Sequence, residues 1–90
     1  MEEISKVLRP LLPPGYQAVL FGSRADGRHR DSSDWDIGIV GAKPLRGALV
    51  ERLREALEDL PTLHTFEIVD LSTVPEGFRE AALRRAVKIV

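Results

Sequence analysis

The sequence contains no cysteine, so disulfide bonds, thiolate metal ligands and cysteine nucleophiles are excluded. It also has almost no excess charge, because 13 Lys and Arg residues offset 14 Asp and Glu residues to leave a net charge of -1. Direct nucleic-acid binding, which needs an excess of positive charge, is therefore not expected. No apolar run approaches bilayer length, and the first residues lack a basic segment followed by an apolar one. We therefore expect a cytoplasmic protein without membrane contact.

The composition is that of an ordinary globular domain. Of the 90 residues, 43% are hydrophobic and 30% are charged, which is typical of a folded chain and not of a disordered one. A chain of this length forms one small domain, so residues 1–90 are predicted to fold as a single unit.

The spacing of apolar residues predicts an α/β (α+β) domain in which helices alternate with strands. Pro10 is expected to end or kink the first helix, because it lacks a backbone donor. The last four residues alternate in polarity and fit either a short strand or the frayed end of a helix. Strands are predicted over residues 17–21, 34–40 and 65–71, and helices over residues 2–12, 23–27, 45–60 and about 73–86.

Two carboxylates stand one residue apart at the start of the second predicted strand. Asp34 and Asp36 should point to one face of the sheet, while Trp35, Ile37 and Ile39 point to the other. Carboxylates side by side repel each other, and a divalent cation between them removes that penalty. The alternative is that Asp34 caps a loop and Asp36 is a solvated strand residue.

A Gly-Ser pair follows the first predicted strand. Gly22 lets the backbone approach a ligand closely, and Ser23 can begin a helix whose free N–H groups favour phosphate. A phosphate-binding turn beside a pair of metal-binding carboxylates indicates a nucleoside triphosphate site.

These residues resemble a known signature. Gly22-Ser23, ten further residues and then Asp34-x-Asp36 resemble the motif of the DNA polymerase β nucleotidyltransferase superfamily. In a chain this short, the fuller run from Phe21 to Gly27, Phe-Gly-Ser-Arg-Ala-x-Gly, resembles the minimal nucleotidyltransferase branch of that superfamily. The resemblance implies a polymerase β-like fold with a small mixed sheet of three to four strands packed with helices.

The resemblance also implies a catalytic site that holds two Mg²⁺ ions and uses ATP as substrate. Asp34 and Asp36 are the expected metal ligands. The expected third ligand is Asp70, at the end of the third strand, where it would also accept the proton of the incoming hydroxyl. Glu67 is the rival, although alternation sends it to the face opposite Asp70. The alternative role for Asp70 is to cap the following turn.

The triphosphate is expected to lie on the Gly-Ser turn. Gly22 and Ser23 would bind the β- and γ-phosphates through backbone N–H groups and the hydroxyl. Arg24 and Arg28 would add charge-assisted hydrogen bonds to the same phosphates. Their alternative is that both are solvated loop arginines.

The implied function is transfer of a nucleoside monophosphate, AMP from ATP, to a hydroxyl. Members of the minimal branch are typically encoded beside a HEPN-domain toxin, adenylylate a tyrosine of that toxin and bind it as its antitoxin. A HEPN toxin is therefore the expected partner, and a homo-oligomer is left open. The alternative from another class is a non-catalytic module that neutralises the toxin by contact alone. An antibiotic-modifying nucleotidyltransferase is ranked last, because 90 residues leave no room for a drug-binding domain.

Overall fold

The computed structural model of the chain describes residues 2–22, 35–61 and 65–90. The predicted helix over residues 23–27 and the first residue of the predicted second strand, Asp34, lie outside this part. The elements in chain order are α1 Glu2–Leu8, β1 Gln17–Phe21, β2 Trp35–Val40, α2 Gly47–Glu58, β3 Phe66–Asp70, α3 Glu76–Leu83 and β4 Val87–Lys88.

The four strands form one mixed sheet in the order β3-β2-β1-β4. Strand β1 runs antiparallel to both β2 and β4, whereas β2 and β3 run parallel. The prediction of a small mixed sheet is therefore confirmed. The end of the chain, for which the sequence left two possibilities, forms a two-residue strand in which Lys88 pairs with Val19.

Helices α1 and α2 cover one face of this sheet. Ile37 and Ile39 on β2 are completely buried against Leu53 and Leu57 of α2 and Leu8 of α1. Helix α1 ends at Leu8, two residues before Pro10, as the missing donor of that proline requires. Trp35 packs at the margin of this core with its ring in edge contact with Phe66 on the neighbouring strand, 6.1 Å between ring centroids.

The opposite face of the sheet has a thinner cover. Val19 and Phe21 on β1 are 7% exposed, and Leu71, just after β3, is fully buried. Helix α3 reaches this face through Phe78, whose ring meets that of Phe21 edge to face at a centroid distance of 6.3 Å. No residue of α3 is buried, so the main core lies on the side of α1 and α2. The opposite side, where the exposed Glu67 lies, is called the accessible face below.

Candidate active site

Asp36 occupies the accessible face of the sheet, at the second position of β2. Its neighbour Trp35 and the core residues Ile37 and Ile39 point to the helix-covered face, so the predicted alternation of β2 is confirmed. Asp36 pairs with Phe21 across the antiparallel ladder and with Glu67 across the parallel one. Its carboxylate is half-buried, between the end of β1 and the start of β3.

Gly22 holds its backbone directly against the Asp36 carboxylate. It has a φ of +79°, a conformation that glycine adopts readily and L side chains rarely do. A Cβ atom at this position would collide with Asp36 Oδ2 and lie 3.4 Å from Asp36 Cγ. Any other residue at position 22 would therefore displace the carboxylate, so the position of the Asp36 side chain depends on Gly22.

Asp70 lies apart from Gly22 and Asp36, and the prediction that it shares a cation with Asp36 is wrong. Asp70 pairs with Ile39, three residues further along the ladder than the pair of Asp36 with Glu67, which is about 10 Å along the strand. It also belongs to the opposite face from Asp36, because paired residues share a face.

Hydrogen bonds explain what Asp70 does instead. Its Oδ2 accepts the Leu45 N–H at 2.7 Å, and its Oδ1 accepts the Ser72 N–H at 3.0 Å and the Ser72 Oγ–H at 2.6 Å. The carboxylate therefore caps the turn after β3 and ties it to the segment before α2. The alternative stated for Asp70, a turn-capping acid, is the one that the geometry supports.

The pKa of Asp70 reflects this role. Partial burial, the largest single influence, raises the pKa of the carboxyl. Hydrogen bonds from the Ser72 hydroxyl, the Leu45 N–H and the Ser72 N–H lower it and together outweigh burial, so the pKa lies below its ordinary value of 3.8. The structure therefore stabilises the charged form of Asp70.

Glu67 stands where Asp70 was expected. It is directly paired with Asp36 on the adjacent parallel strand, so the two Cα atoms lie about 4.8 Å apart and both side chains project from the accessible face. The inference that Glu67 and Asp70 point to opposite faces was correct, but the pair was assigned to the wrong faces relative to Asp36. The pairing of the buried Ile37 with the buried Ile68 identifies Glu67 as the neighbour of Asp36, and this register is seen only in the folded sheet.

The pair Asp36 and Glu67 supplies the kind of donors that a magnesium site requires. Carboxylate oxygens are hard ligands, and Mg²⁺ usually takes one or two of them together with water and substrate phosphates. Within residues 2–22, 35–61 and 65–90, no group of three His, Cys, Asp or Glu side chains is placed to hold a metal ion. Asp34 falls outside those ranges, so the predicted Asp34–Asp36 ligand pair stays a prediction.

The remaining predicted site residues also lie outside the described residues. Ser23, Arg24 and Arg28 belong to the stretch 23–34, and their predicted phosphate contacts stay predictions. Gly22 is placed beside Asp36 as expected, while its role in binding phosphate is untested.

A nucleotidyltransferase is the class of protein that this mixed sheet and its carboxylate face indicate. The family model "Polymerase beta, Nucleotidyltransferase" matches residues 2–90. The chain therefore belongs to the polymerase β nucleotidyltransferase family, and the resemblance stated from the sequence is confirmed.

Within this family, the chain is similar to the "Probable protein adenylyltransferase MntA" of Haemophilus influenzae. The two are 34% identical over 77 residues, which cover 86% of this chain and 68% of that protein. Among solved structures, a toxin–antitoxin crystal structure with AMP-PNP matches with a TM-score of 0.70 and 27% identity, over 98% of this chain and 70% of that one. This match confirms the predicted polymerase β-like fold.

A third relative agrees in fold alone. It is a structure of the tri-AMPylated Shewanella oneidensis HEPN toxin in complex with MNT antitoxin, with a TM-score of 0.63 and 21% identity, over 100% of this chain and 72% of the matched one. In the portion of the chain that the structure describes, no helix is long and apolar enough to cross a membrane.

Proposed function

We propose that the chain is a protein adenylyltransferase that transfers AMP from ATP to a tyrosine hydroxyl of a HEPN-domain toxin and so acts as its antitoxin. Family membership and the similarity to MntA support the reaction class, and the similar toxin–antitoxin structure with AMP-PNP supports the nucleotide. The observation that carries the proposal is the register that puts Asp36 and Glu67 side by side, with the Gly22 backbone against Asp36. A cytoplasmic location follows, because ATP is the substrate.

The proposed ligands of the two Mg²⁺ ions are Asp34, Asp36 and Glu67. Glu67 replaces Asp70 in this set because it shares a face and a ladder position with Asp36. When bound, the ions would neutralise charge that develops on the phosphoryl oxygens and on the entering and leaving oxygens. The oxygen-only donor set fits this hard cation.

The chain's own residues would position the reactants. The backbone N–H groups of Gly22 and Ser23 would bind the β- and γ-phosphates, and Arg24 and Arg28 would add charge-assisted hydrogen bonds. Because the Gly22 backbone adjoins the Asp36 carboxylate, phosphates bound there would place the α-phosphorus over Asp36.

The transfer itself is a single displacement. The acceptor oxygen forms a bond to the α-phosphorus, the bond from that phosphorus to the bridging oxygen breaks, and pyrophosphate leaves. Glu67 would accept the proton of the acceptor hydroxyl, since it lies on the side of Asp36 away from Gly22. A partner protein would bring the tyrosine.

A labelling experiment tests this proposal. The purified chain, its HEPN partner and Mg²⁺ are incubated with ATP labelled at the α-phosphate, and label on the toxin is counted. We expect transfer with the wild type and none with Asp36→Asn, which removes a ligand charge without changing volume. Glu58→Gln, an exposed acid on α2, is the matched control and should transfer normally. Tight complex formation without label would instead favour the non-catalytic module that neutralises by contact.

A further inference from the structure

A pocket opens beside Gly22, between the end of β1 and helix α3. It has a volume of about 570 Å³, and its apolar wall consists of Phe21, Phe78, Ala81 and Ala82. Arg84 and Arg85, just after α3, line the pocket as well. Gly22 both lines this pocket and adjoins the Asp36 carboxylate, so the pocket borders the proposed phosphate site at Gly22.

Phe78 gives this pocket an accessible aromatic ring. The side chain is 49% exposed although one edge-to-face contact with Phe21 fixes its position. A single exposed aromatic residue is ordinary on a protein surface. What distinguishes Phe78 is its place in a pocket that adjoins the proposed phosphate site, where a flat apolar ligand could stack on it.

The charge of the pocket suits a nucleotide. Arg84 and Arg85 are both exposed, and neither forms an ion pair with any residue in the described ranges. Unneutralised guanidinium groups attract a ligand that carries phosphates, and their flat faces can also border a base.

We propose that this pocket receives the nucleoside of the ATP substrate, with the purine stacked on Phe78. The inference rests on the proposed function, because it needs phosphates bound at Gly22. Because Gly22 adjoins both the Asp36 carboxylate and this pocket, a nucleotide whose α-phosphate lies over Asp36 can extend its ribose from that point into the pocket. The apolar wall and the volume fit a base and sugar, whereas a polyphosphate would leave Phe21, Phe78 and Ala82 without a complementary surface.

The test compares two ligands by calorimetry in the presence of Mg²⁺ and without acceptor protein. ATP carries the nucleoside, whereas inorganic triphosphate has only the phosphates. We expect Phe78→Ala to weaken ATP binding about 10-fold, as loss of base stacking does, and to leave triphosphate binding unchanged. Phe78→Trp retains an aromatic face and should keep the affinity for ATP. Leu83→Ala, on the same helix and 38% exposed but not in the pocket wall, is the matched control and should bind both ligands normally.

The other outcomes separate this inference from the proposed function. Equal losses of ATP and triphosphate binding in Phe78→Ala would assign the pocket to the phosphates and overturn the inference. Unchanged ATP binding in Phe78→Ala, with weaker assembly with the HEPN partner, would make the ring part of a docking surface and also overturn it. Wild-type protein that binds neither ligand would overturn the proposed function and this inference together.

Discussion

Two acids on β3, only three residues apart, have different roles: one belongs to the candidate site and the other makes a structural contact. Glu67 pairs with Asp36 on the accessible face, whereas Asp70 pairs with Ile39 and caps a turn. Alternation within a strand can be predicted from the sequence, but the register between two strands cannot, because it depends on how their apolar residues align in the core. The faces of Glu67 and Asp70 relative to each other were therefore predictable, and their faces relative to Asp36 were not.

We predict that Glu67→Gln and Asp70→Asn have opposite consequences. Glu67 is exposed and proposed to accept a proton, so Glu67→Gln should slow AMP transfer by about 100-fold or more and leave the melting temperature unchanged. Asp70→Asn should lower the melting temperature and leave transfer per folded molecule intact. Label transfer and thermal denaturation of both variants provide the check. Loss of transfer in fully folded Asp70→Asn would restore Asp70 to the site.

The lowered pKa of Asp70 predicts a pH dependence of stability. A carboxyl whose pKa is lower in the folded chain stabilises the fold above its unfolded value, and this contribution is lost as the pH falls through the folded pKa. The free energy of unfolding should therefore decrease between about pH 5 and pH 3, and less steeply in Asp70→Asn. Urea titrations across this range measure it. Arg52→Ala, which removes an exposed side chain but no acid, is the control and should retain the wild-type slope.

Alanine substitutions at Gly22 and Gly15 distinguish the effect of a steric clash from that of backbone strain. Gly22→Ala should abolish ATP binding, because its Cβ would displace the Asp36 carboxylate. Gly15 has a similar φ of +89°, but no atom lies within 4 Å of the place that a Cβ would occupy there, so Gly15→Ala introduces strain alone. We expect Gly15→Ala to cost about 1–2 kcal/mol of stability and to bind ATP normally in calorimetry. Normal ATP binding by Gly22→Ala would contradict the proposed geometry.

The spacing of apolar residues predicted which helices and strands form, but it did not predict the residues at which they begin and end. The predicted strand over residues 17–21 matches β1, and the predicted helix over residues 45–60 contains α2. Helix α2 begins at Gly47 and not at Leu45, whose N–H is bound to the Asp70 carboxylate. Such a contact, 25 residues apart in the chain, leaves no local sequence signal.

Helix α2 supplies the buried side of the fold, and Leu53 tests its packing. This side chain is completely buried, so Leu53→Ala leaves a cavity and should lower the free energy of unfolding by about 2–5 kcal/mol. Arg52→Ala, the exposed neighbour on the same helix, should change it by no more than about 0.5 kcal/mol. Urea denaturation distinguishes them, and equal stability of the two variants would show that the helix does not pack by this face.

In the molecule as a whole, the two faces of the sheet have different roles. Helices α1 and α2 bury one face, while Asp36, Glu67 and Gly22 belong to the other, which α3 contacts through Phe78. The family signature predicted this fold from a short run of residues. The pocket beside α3 had no such signal, because it depends on Phe21 and Phe78, which are far apart in the chain.

Binding of Mg²⁺ and ATP to the accessible face should stabilise the entire fold. In the proposed function, magnesium and ATP bind the native chain and not the unfolded one, so at 100 times the dissociation constant they should add about 2.7 kcal/mol of stability. We expect a melting temperature higher by several degrees with both present, and no increase in Asp36→Asn. Thermal denaturation followed by circular dichroism measures it. An equal increase in Asp36→Asn would place nucleotide binding elsewhere on the molecule.

The side chains of β2 point alternately to the core and to the candidate site, and this restricts which mutations the strand tolerates. Substitution of Asp36 or of Ile37 affects one of the two sets, because each residue serves a single face. Deletion or insertion of one residue within β2 reverses every later side chain, so that a carboxylate enters the hydrophobic interior while isoleucines face the solvent. Length changes in this strand are therefore far less tolerable than replacements, and divergence of specificity must proceed by exchange of side chains.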